Sequence, residues 1–375
     1  MIASVASAKS MTPARAADID AAVHVGMTRT GAQGLALAVV EDGKVVLTRA
    51  YGLRTAQGSA LKTDSVVYAA SLCKTVFAYT VMRLVAEGKV DLDQSFAAML
   101  PKPLPDYGNL PHGMGNWGDL AGDERWRKLT PRITLTHATG FANFAFLEPD
   151  QKLKFHFEPG TRYAYSGEGL LLLQFAIEQK LGHSVGIEAD RLTFGPLGMT
   201  SSAMDWQPAW ADRAAQAWDA KGEAFQHTPR KRVRIAGSMD TTIEDMGRFA
   251  AALVSGTGLN RATFDDMTRP QRPITSVSQF PTLQDDAPPE KRFRGLSAGL
   301  GVVTFSGPQG AGFYKGGHDD MTGNTMVCVK RGRRCVVLLG NDVRAEPLFP
   351  ELVNHILGET GAPWRWEYPE QFVTP

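Results

Sequence analysis

The chain has 375 residues, and its 40 Lys and Arg residues almost balance 39 Asp and Glu residues, giving a formal net charge of +1. Such a balance creates no overall field that would attract nucleic acid or an anionic membrane, so we expect neither as a partner. A length prior of roughly 150 residues per domain suggests two domains. Because the chain has no run of ~18 apolar residues and no export-signal pattern at its start, the sequence predicts a soluble protein, cytoplasmic or, after removal of a signal, periplasmic.

The first structural elements are predicted near the N-terminus. Residues 35–50, LALAVVEDGKVVLTRA, form two β-branched runs joined by Asp42 and Gly43. This pair accepts positive φ angles in a tight turn and so predicts a β-hairpin. Over residues 70–87 apolar residues recur at spacings of one, three and four, which predicts a buried helix, and Gly88 stands at the expected C-cap.

The rest of the chain divides into a helical middle and a strand-rich end. Residues 89–235 show helical segments and Pro/Gly/Trp-rich loops with little strand pattern. Thr242 and Asp245 mark the start of a further helix, candidate strands follow at 300–305, 325–330 and 335–341, and residues 351–359 form a last helix. We therefore predict an α/β (α+β) fold, an antiparallel sheet flanked by helices and built from residues 20–88 and 236–365, interrupted by an inserted all-helical domain at residues 89–235.

The three cysteines cannot form a disulfide framework, and no C-x-x-C or His-paired spacing suggests zinc. Cys328 and Cys335 flank the turn VKRGRR and could face one another across a hairpin, but two free buried thiols are the favoured interpretation. Cys73 is expected to pack in the core. We also predict no metal site at His318, Asp319 and Asp320, because three consecutive residues rarely converge on one ion.

The start of the helix predicted at residues 70–87 places Ser71 and Lys74 three residues apart. On a helix such side chains lie on one face, about 5 to 6 Å apart at Cβ, so a lysine can take the proton of the serine and make it nucleophilic. The helix N-terminus adds amide donors that favour an oxyanion. For this role the lysine pKa, ordinarily ~10.4, must be lowered toward ~7 to 8 by burial or a nearby cation. The S-x-x-K spacing alone also occurs by chance with a solvated lysine, so the interpretation depends on further motifs.

Those motifs occur in order along the chain as AASLCKTV, RITLTHATGF, EPGTRYAYSGEGLLLLQ, FGPLGMTSSAM, GSMDTTIEDMGRFAAAL and YKGGHDDMTG. Together they resemble the serine penicillin-recognising family, which includes class C β-lactamases, D-alanyl-D-amino-acid peptidases and family VIII carboxylesterases. The resemblance covers residues 30–360. It implies a β-lactamase/transpeptidase-like fold and an acyl-transfer chemistry that needs no cofactor.

The resemblance also implies three catalytic roles. Ser71 would be the nucleophile, and Lys74 would accept or shuttle its proton. Tyr165 of AYSGEG would be the third catalytic residue, with Tyr163 as the alternative tyrosine. To act as a base or as the acid for the leaving group, a phenol with a pKa near ~10 must have that pKa lowered by a neighbouring ammonium.

A further implied element is Lys315, Gly316 and Gly317, on a strand lining the cleft. The resemblance places one oxyanion donor at the amide of the nucleophile and another just past this element, at His318, although GGHDDMTGN is about two residues longer than usual. Lys315 either pairs with a substrate carboxylate or is an ordinary lysine at a strand end. Gly316 replaces a hydroxyl residue that helps to hold a carboxylate in the family.

Gly167 is a second departure from the family pattern, because it stands where an asparagine often binds the amide of a β-lactam or peptide substrate. Both glycines therefore favour a less demanding ester substrate. His137 matches a family position outside the chemistry and is predicted to be a buried, satisfied histidine. Six aromatic residues of the insertion either line an apolar acyl pocket or pack in the core: Tyr107, Trp117, Trp126, Phe141, Phe144 and Phe146.

The sequence thus predicts a serine hydrolase that forms an acyl-enzyme on Ser71, a carboxylesterase for small esters with weak β-lactam hydrolysis as a side activity. Two alternatives stay open. One is a class C-like β-lactamase or a D-aminopeptidase or carboxypeptidase, which Lys315 favours. The other is a non-catalytic penicillin-binding-like protein. The expected partner is a small-molecule ester or β-lactam.

Overall fold

The computed structural model describes residues 11–372. The helices of eight residues or more are α1 (Pro13–Thr30), α2 (Leu72–Ala86), α3 (Gly167–Leu181), α4 (Ile243–Ser255), α5 (Arg261–Thr268) and α6 (Phe349–Leu357). Shorter helices span Phe96–Met99, Pro131–Leu135, Val185–Ala189, Gly195–Leu197 and Trp364–Glu367. Helix α1 was not predicted from the sequence, although Thr12 caps it and Pro13 occupies its first position, which are both regular helix-start signals.

The centre of the molecule is an eight-stranded antiparallel sheet. Its strands are β1 (Gly34–Glu41), β2 (Lys44–Gly52), β3 (Arg272–Pro273), β4 (Ser297–Ala298), β5 (Val303–Gly307), β6 (Gly310–His318), β7 (Gly323–Val329) and β8 (Arg334–Gly340). Their order across the sheet is β2-β1-β8-β7-β6-β5-β4-β3. The predicted hairpin is present as β1 and β2, and its turn residues Asp42 and Gly43 have φ angles of 51° and 73°. Because β1 pairs with β8, the two ends of the chain build one sheet, as the sequence predicted.

Helices cover both faces of this sheet. Successive side chains of β1 point to opposite faces, so its apolar residues divide between two cores. One core holds Leu35, Leu37 and Val39 with buried residues of α1 and α6. The other holds Ala36, Ala38 and Val40 with buried residues of α2 and α4. The predicted arrangement of a sheet flanked by helices is therefore confirmed.

The β7–β8 hairpin corrects the prediction for two cysteines. Cys328 and Cys335 form a disulfide instead of remaining free thiols. They face each other directly in the strand register, with Cα atoms 4.1 Å apart. Directly opposed residues of antiparallel strands come this close at non-hydrogen-bonded positions, and their side chains share one face of the sheet. Cys73 is buried and donates from Sγ to the Ile235 carbonyl (2.8 Å), so it packs as expected.

In residues 89–235 short helices alternate with long loops, and two short ladders are also present, so this segment is not built of helices alone. Asn109–Leu110 pairs with Gly115–Asn116, and Ala217–Trp218 pairs with Ala224–Phe225. The core on the α2 side of the sheet continues without a break into this segment. The boundaries of a separate domain at 89 and 235 stay a prediction. Nowhere in residues 11–372 does a helix combine the length and apolarity that crossing a membrane requires.

Candidate active site

The start of α2 opens into a large cavity. Ala70 has a φ angle of 46°, a left-handed conformation that few residues other than glycine adopt. Ser71 follows as the N-cap of α2, and its side chain lines the cavity. A short ladder between Val67–Tyr68 and Asp240–Thr241 holds the chain just before this turn. Strained backbone of this kind persists only where the surrounding structure determines it, which is typical of functional sites.

Three predicted side chains meet at one oxygen atom. Lys74 Nζ donates a hydrogen bond to Ser71 Oγ at 2.8 Å, and the Tyr165 hydroxyl donates to the same oxygen at 2.8 Å. Ser71 is the N-cap of α2 and Lys74 lies in the first turn of this helix, whereas Tyr165 lies just before α3. A nucleophile with two proton-transfer groups within hydrogen-bond reach is the geometry that covalent catalysis requires.

The environment of Lys74 lowers the pKa of its ammonium, as a catalytic base requires. Its side chain is buried, and Nζ also donates to the Ala236 carbonyl. Burial lowers the pKa of the Lys74 ammonium to about 8, and the nearby Arg234 cation acts in the same direction. A substantial share of Lys74 is therefore neutral just above neutral pH and able to accept a proton.

The environment of Tyr165 does not lower the pKa of its phenol. Burial raises the pKa of its phenol, and this effect outweighs the opposing influence of the Lys315 ammonium and of the hydrogen bond with Ser71. The expectation of a lowered phenol pKa is thus wrong, because desolvation dominates over the neighbouring charges. Tyr165 keeps its proton and can donate it. The alternative, Tyr163, lies away from the serine, with its hydroxyl 3.4 Å from Gln279 Oε1.

Strand β6 approaches the nucleophile closely through a glycine. A Cβ atom on Gly317 would lie 2.7 Å from the Leu72 nitrogen and 2.9 Å from the Ser71 nitrogen. Both are backbone atoms that cannot move aside, so only glycine allows this approach. The backbone at residues 317 and 318 therefore lies beside the amide of Ser71, where an oxyanion would be held.

Lys315 and His318 both lie at this end of β6. Lys315 is buried, its Nζ donates to the Gly316 carbonyl (2.6 Å) and lies 5.0 Å from the centre of the Tyr165 ring. His318 Nδ1 is 3.0 Å from Glu346 Oε1. Burial lowers the pKa of His318, but the hydrogen bond and charge of Glu346 outweigh burial and raise it overall.

The cavity has a volume of about 620 Å³. All but one of the predicted site residues line it. These are Ser71, Lys74, Tyr165, Lys315, Gly316, Gly317 and His318. The exception among the described residues is Gly167, which starts α3 and donates its N–H to Asn143 Oδ1 at 2.9 Å. A Cβ on Gly167 would lie 2.4 Å from the Phe144 ring. Asn143 and Phe144, and not residue 167, therefore face the cavity here.

The aromatic residues and His137 divide between site and core. Phe144 and Phe146 stack with ring centres 5.2 Å apart and line the cavity. Trp117, Trp126 and Phe141 are buried in the core, and Tyr107 packs against the Phe175 ring. His137 is buried and accepts a hydrogen bond from the Ser166 N–H (3.1 Å). Burial lowers its pKa well below the ordinary value, so it is a satisfied neutral histidine as expected.

The cavity lining also includes polar side chains that were not predicted as site residues, among them Asn143, Arg234 and Glu367. Asn143 lies in a loop of the insertion, and Arg234 ends a basic run, PRKRVR, that is visible in the sequence. Glu367 belongs to the short C-terminal helix, and no local pattern marks it. Within residues 11–372 no group of three or more His, Cys, Asp or Glu side chains is arranged to hold a metal ion. The Asp319 carboxylate instead accepts from the N–H groups of Met321 and Thr322 in the β6–β7 turn.

Residues 19–356 match the family model for beta-lactamase. The chain belongs to the β-lactamase family. Two curated relatives are similar to parts of the chain. Over 194 residues it is 25% identical to the N-acetylmuramyl-L-alanine amidase of Bacillus subtilis (strain 168), a match that covers 44% of this chain and 41% of the amidase. Over 202 residues it is 27% identical to the esterase EstB of Burkholderia gladioli, covering 49% of this chain and 50% of the esterase. The chain therefore matches half or less of the length of these relatives.

Several solved structures share the fold of this chain. The D-alanine carboxypeptidase AmpC from Burkholderia cenocepacia superposes with a TM-score of 0.71 at 17% identity, covering 92% of this chain and 99% of that one. A class C β-lactamase mutant gives a TM-score of 0.73 at 16% identity, covering 93% and 99%. The octameric penicillin-binding protein homologue from Pyrococcus abyssi gives 0.68 at 17% identity, covering 93% and 78%. The β-lactamase/transpeptidase-like fold expected from the sequence is confirmed.

Proposed function

We propose that the protein is a serine carboxylesterase that hydrolyses small esters through an acyl-enzyme on Ser71, with weak β-lactam hydrolysis as a side activity. The observation that carries this proposal is the position of Ser71 Oγ, 2.8 Å from both Lys74 Nζ and the Tyr165 hydroxyl. The cavity around this oxygen has room for a small substrate and includes the apolar side chains of Phe144 and Phe146.

The proposed reaction begins with neutral Lys74. Its nitrogen takes the hydroxyl proton as Ser71 Oγ attacks the ester carbonyl, and the resulting oxyanion is held by the N–H groups of Ser71 and His318. The Tyr165 hydroxyl then gives its proton to the alkoxide that leaves, and the Lys74 ammonium restores the tyrosine proton. Water attacks the acyl-enzyme with the same groups acting in reverse, which releases the acid and regenerates the serine.

Support for an ester substrate comes from two positions and one relative. Position 167 holds a glycine with the Phe144 ring against it, so this position presents no amide to a β-lactam or peptide substrate. Position 316 is also a glycine and offers no hydroxyl to a substrate carboxylate. The relative EstB, which is 27% identical over the matched residues, is named as an esterase.

The second candidate function is a β-lactamase or a D-amino-acid peptidase. The buried Lys315 ammonium in the cavity favours it, because such substrates carry a carboxylate that a lysine can bind. A third possibility, a non-catalytic binding protein, is disfavoured by the short contacts of Lys74 and Tyr165 with Ser71.

Intact-mass spectrometry separates these functions. The protein is mixed in parallel with a short p-nitrophenyl ester and with a penicillin, adducts are mapped by peptide fragmentation, and steady-state hydrolysis of each compound is measured. We expect rapid turnover of the ester and a slowly released penicillin adduct on Ser71. Turnover of the penicillin faster than that of the ester would establish the second candidate, and the absence of both adduct and turnover would establish a binding protein.

The pH dependence of ester hydrolysis should reflect Lys74. The proposed base must be neutral, and the pKa of Lys74 is lowered to about 8 mainly by burial. The neutral fraction increases as the pH rises through this value, so kcat/KM for an uncharged ester is expected to increase through pH 8 and reach a plateau about one unit above it. Initial rates between pH 6 and pH 10, corrected for spontaneous hydrolysis, would test this. A profile that is flat across pH 8 would contradict Lys74 as the base.

A further inference from the structure

The cavity contains a buried carboxylate that the proposed reaction does not use. Glu367 ends the short helix Trp364–Glu367, lines the cavity, and is only 4% exposed. Both of its carboxylate oxygens are buried, and neither has a hydrogen-bond partner among residues 11–372. A buried carboxylate without a compensating cation exerts a strong local field.

Glu367 also explains the glycine at position 316. A Cβ atom on Gly316 would lie 2.3 Å from Glu367 Oε1 and 2.5 Å from the Tyr314 hydroxyl. The carboxylate therefore occupies the space that any side chain at position 316 would need. Lys315 and Gly316 are consecutive on β6 and so point to opposite faces of the strand, yet the Lys315 and Glu367 side chains both line the cavity.

The leaving group of the substrate must lie at this end of the cavity. In the proposed reaction Tyr165 gives its proton to the leaving alkoxide, so the alcohol part of the ester faces the Tyr165 hydroxyl. Lys315 Nζ lies 5.0 Å from the centre of the same ring. Glu367 lines the same cavity as Tyr165, and its charge adds to the burial that raises the pKa of the Tyr165 phenol.

Positively charged side chains lie near the aromatic lining of the cavity. The Arg234 guanidinium lies 5.7 Å from the centre of the Phe144 ring, and the exposed Lys231 and Arg232 also line the cavity. In the proposed binding mode the acyl part of the ester lies against the aromatic rings, near these cations, whereas the alcohol part faces Tyr165 and Glu367. The two sides of a bound ester are therefore expected to meet different fields.

We propose that Glu367 is a specificity-determining residue that selects esters with an uncharged alcohol part and rejects substrates with a carboxylate on the leaving group. A leaving-group carboxylate in this part of the cavity would meet the Glu367 carboxylate as well as the Lys315 ammonium, and the two carboxylates repel each other. This inference rests on the proposed function. It adds the substrate class and names a residue that acts on binding of the leaving group and not on the serine.

The test uses a matched pair of chromogenic esters, p-nitrophenyl acetate and 3-carboxy-4-nitrophenyl acetate, which differ by one carboxylate on the leaving group. The variants are Glu367→Gln, which removes the charge at nearly constant size, and Glu367→Asp, which keeps the charge. For Glu367→Gln we expect the ratio of kcat/KM for the carboxylate ester to kcat/KM for the neutral ester to rise about tenfold or more. For Glu367→Asp the ratio of the two kcat/KM values should stay near that of the unmodified protein.

A double variant identifies the cation that the glutamate opposes. Adding Lys315→Met to Glu367→Gln should abolish the gain with the carboxylate ester, because the unopposed ammonium would bind that group. If the unmodified protein hydrolyses the neutral ester but the ratio does not rise in Glu367→Gln, this inference alone is overturned. If the unmodified protein hydrolyses neither ester, the proposed function is overturned together with it.

Discussion

Replacing Ser71 by alanine is expected to remove the acyl-enzyme and to lower kcat for a p-nitrophenyl ester by about 10³-fold or more. The methyl group of alanine cannot form the covalent bond, whereas Lys74, Tyr165 and the oxyanion donors would remain. The residual rate would be that of substrate held in the cavity and attacked by water. Steady-state kinetics and intact-mass spectrometry of the same samples measure both effects.

The matched control for this variant is Cys73→Ala, because Cys73 carries another nucleophilic side chain in the same stretch of chain. Its thiol is buried and directed to the Ile235 carbonyl, and burial raises its pKa, so it is not expected to react. The Cys73→Ala protein should keep the adduct and most of the activity. An adduct that survives in Ser71→Ala, or is lost in Cys73→Ala, would contradict Ser71 as the nucleophile.

Replacing Lys74 by methionine is expected to lower kcat for the same ester by about 10²- to 10⁴-fold, the usual range for loss of a general base. Methionine has a similar length and fits a buried site, so the protein should fold and unfold at a similar temperature. It cannot take the proton from Ser71 Oγ, which Nζ contacts at 2.8 Å. The increase of kcat/KM through pH 8 should also disappear, because the titrating ammonium is gone.

Lys315→Met is the matched control for Lys74→Met. This lysine is also buried in the cavity, but its Nζ donates to the Gly316 carbonyl and not to the serine. Its loss should change kcat for a neutral ester by less than about tenfold and leave the pH profile in place. Activity of Lys74→Met within tenfold of the unmodified protein would instead point to Tyr165 as the base.

Predictions from local sequence succeeded where neighbours in sequence are neighbours in space. The Asp42-Gly43 hairpin, the buried helix after Ser71 and the strands of the C-terminal part depend on periodicity and turn chemistry, which act over a few residues. The close approach of Lys74 to Ser71 is likewise a property of one helical turn. The other expected site residues, Tyr165 and Lys315 to His318, came from the resemblance of ordered motifs to a known family.

The errors concern properties that depend on packing between distant segments. The disulfide requires the register that opposes Cys328 to Cys335, and a spacing of seven residues does not determine that register. The phenol pKa of Tyr165 was expected to fall because a cation was anticipated nearby, but burial, a property of the whole fold, raises it. Gly167 was expected in the binding site, yet the Phe144 ring lies against it and takes that place in the cavity.

By itself, then, the sequence determined the β1–β2 hairpin, the helix α2 and the Ser71 and Lys74 pair, because short-range backbone geometry dictates all three. Only the tertiary structure decided which groups carry the perturbed pKa values and which charges face the substrate. Glu367 shows the reason most clearly: it lies 52 residues beyond Lys315 in the printed chain, and yet its carboxylate fills the space beside Gly316. Desolvation and electrostatic fields depend on distances through space, and these are set when the C-terminal helix packs against the end of β6.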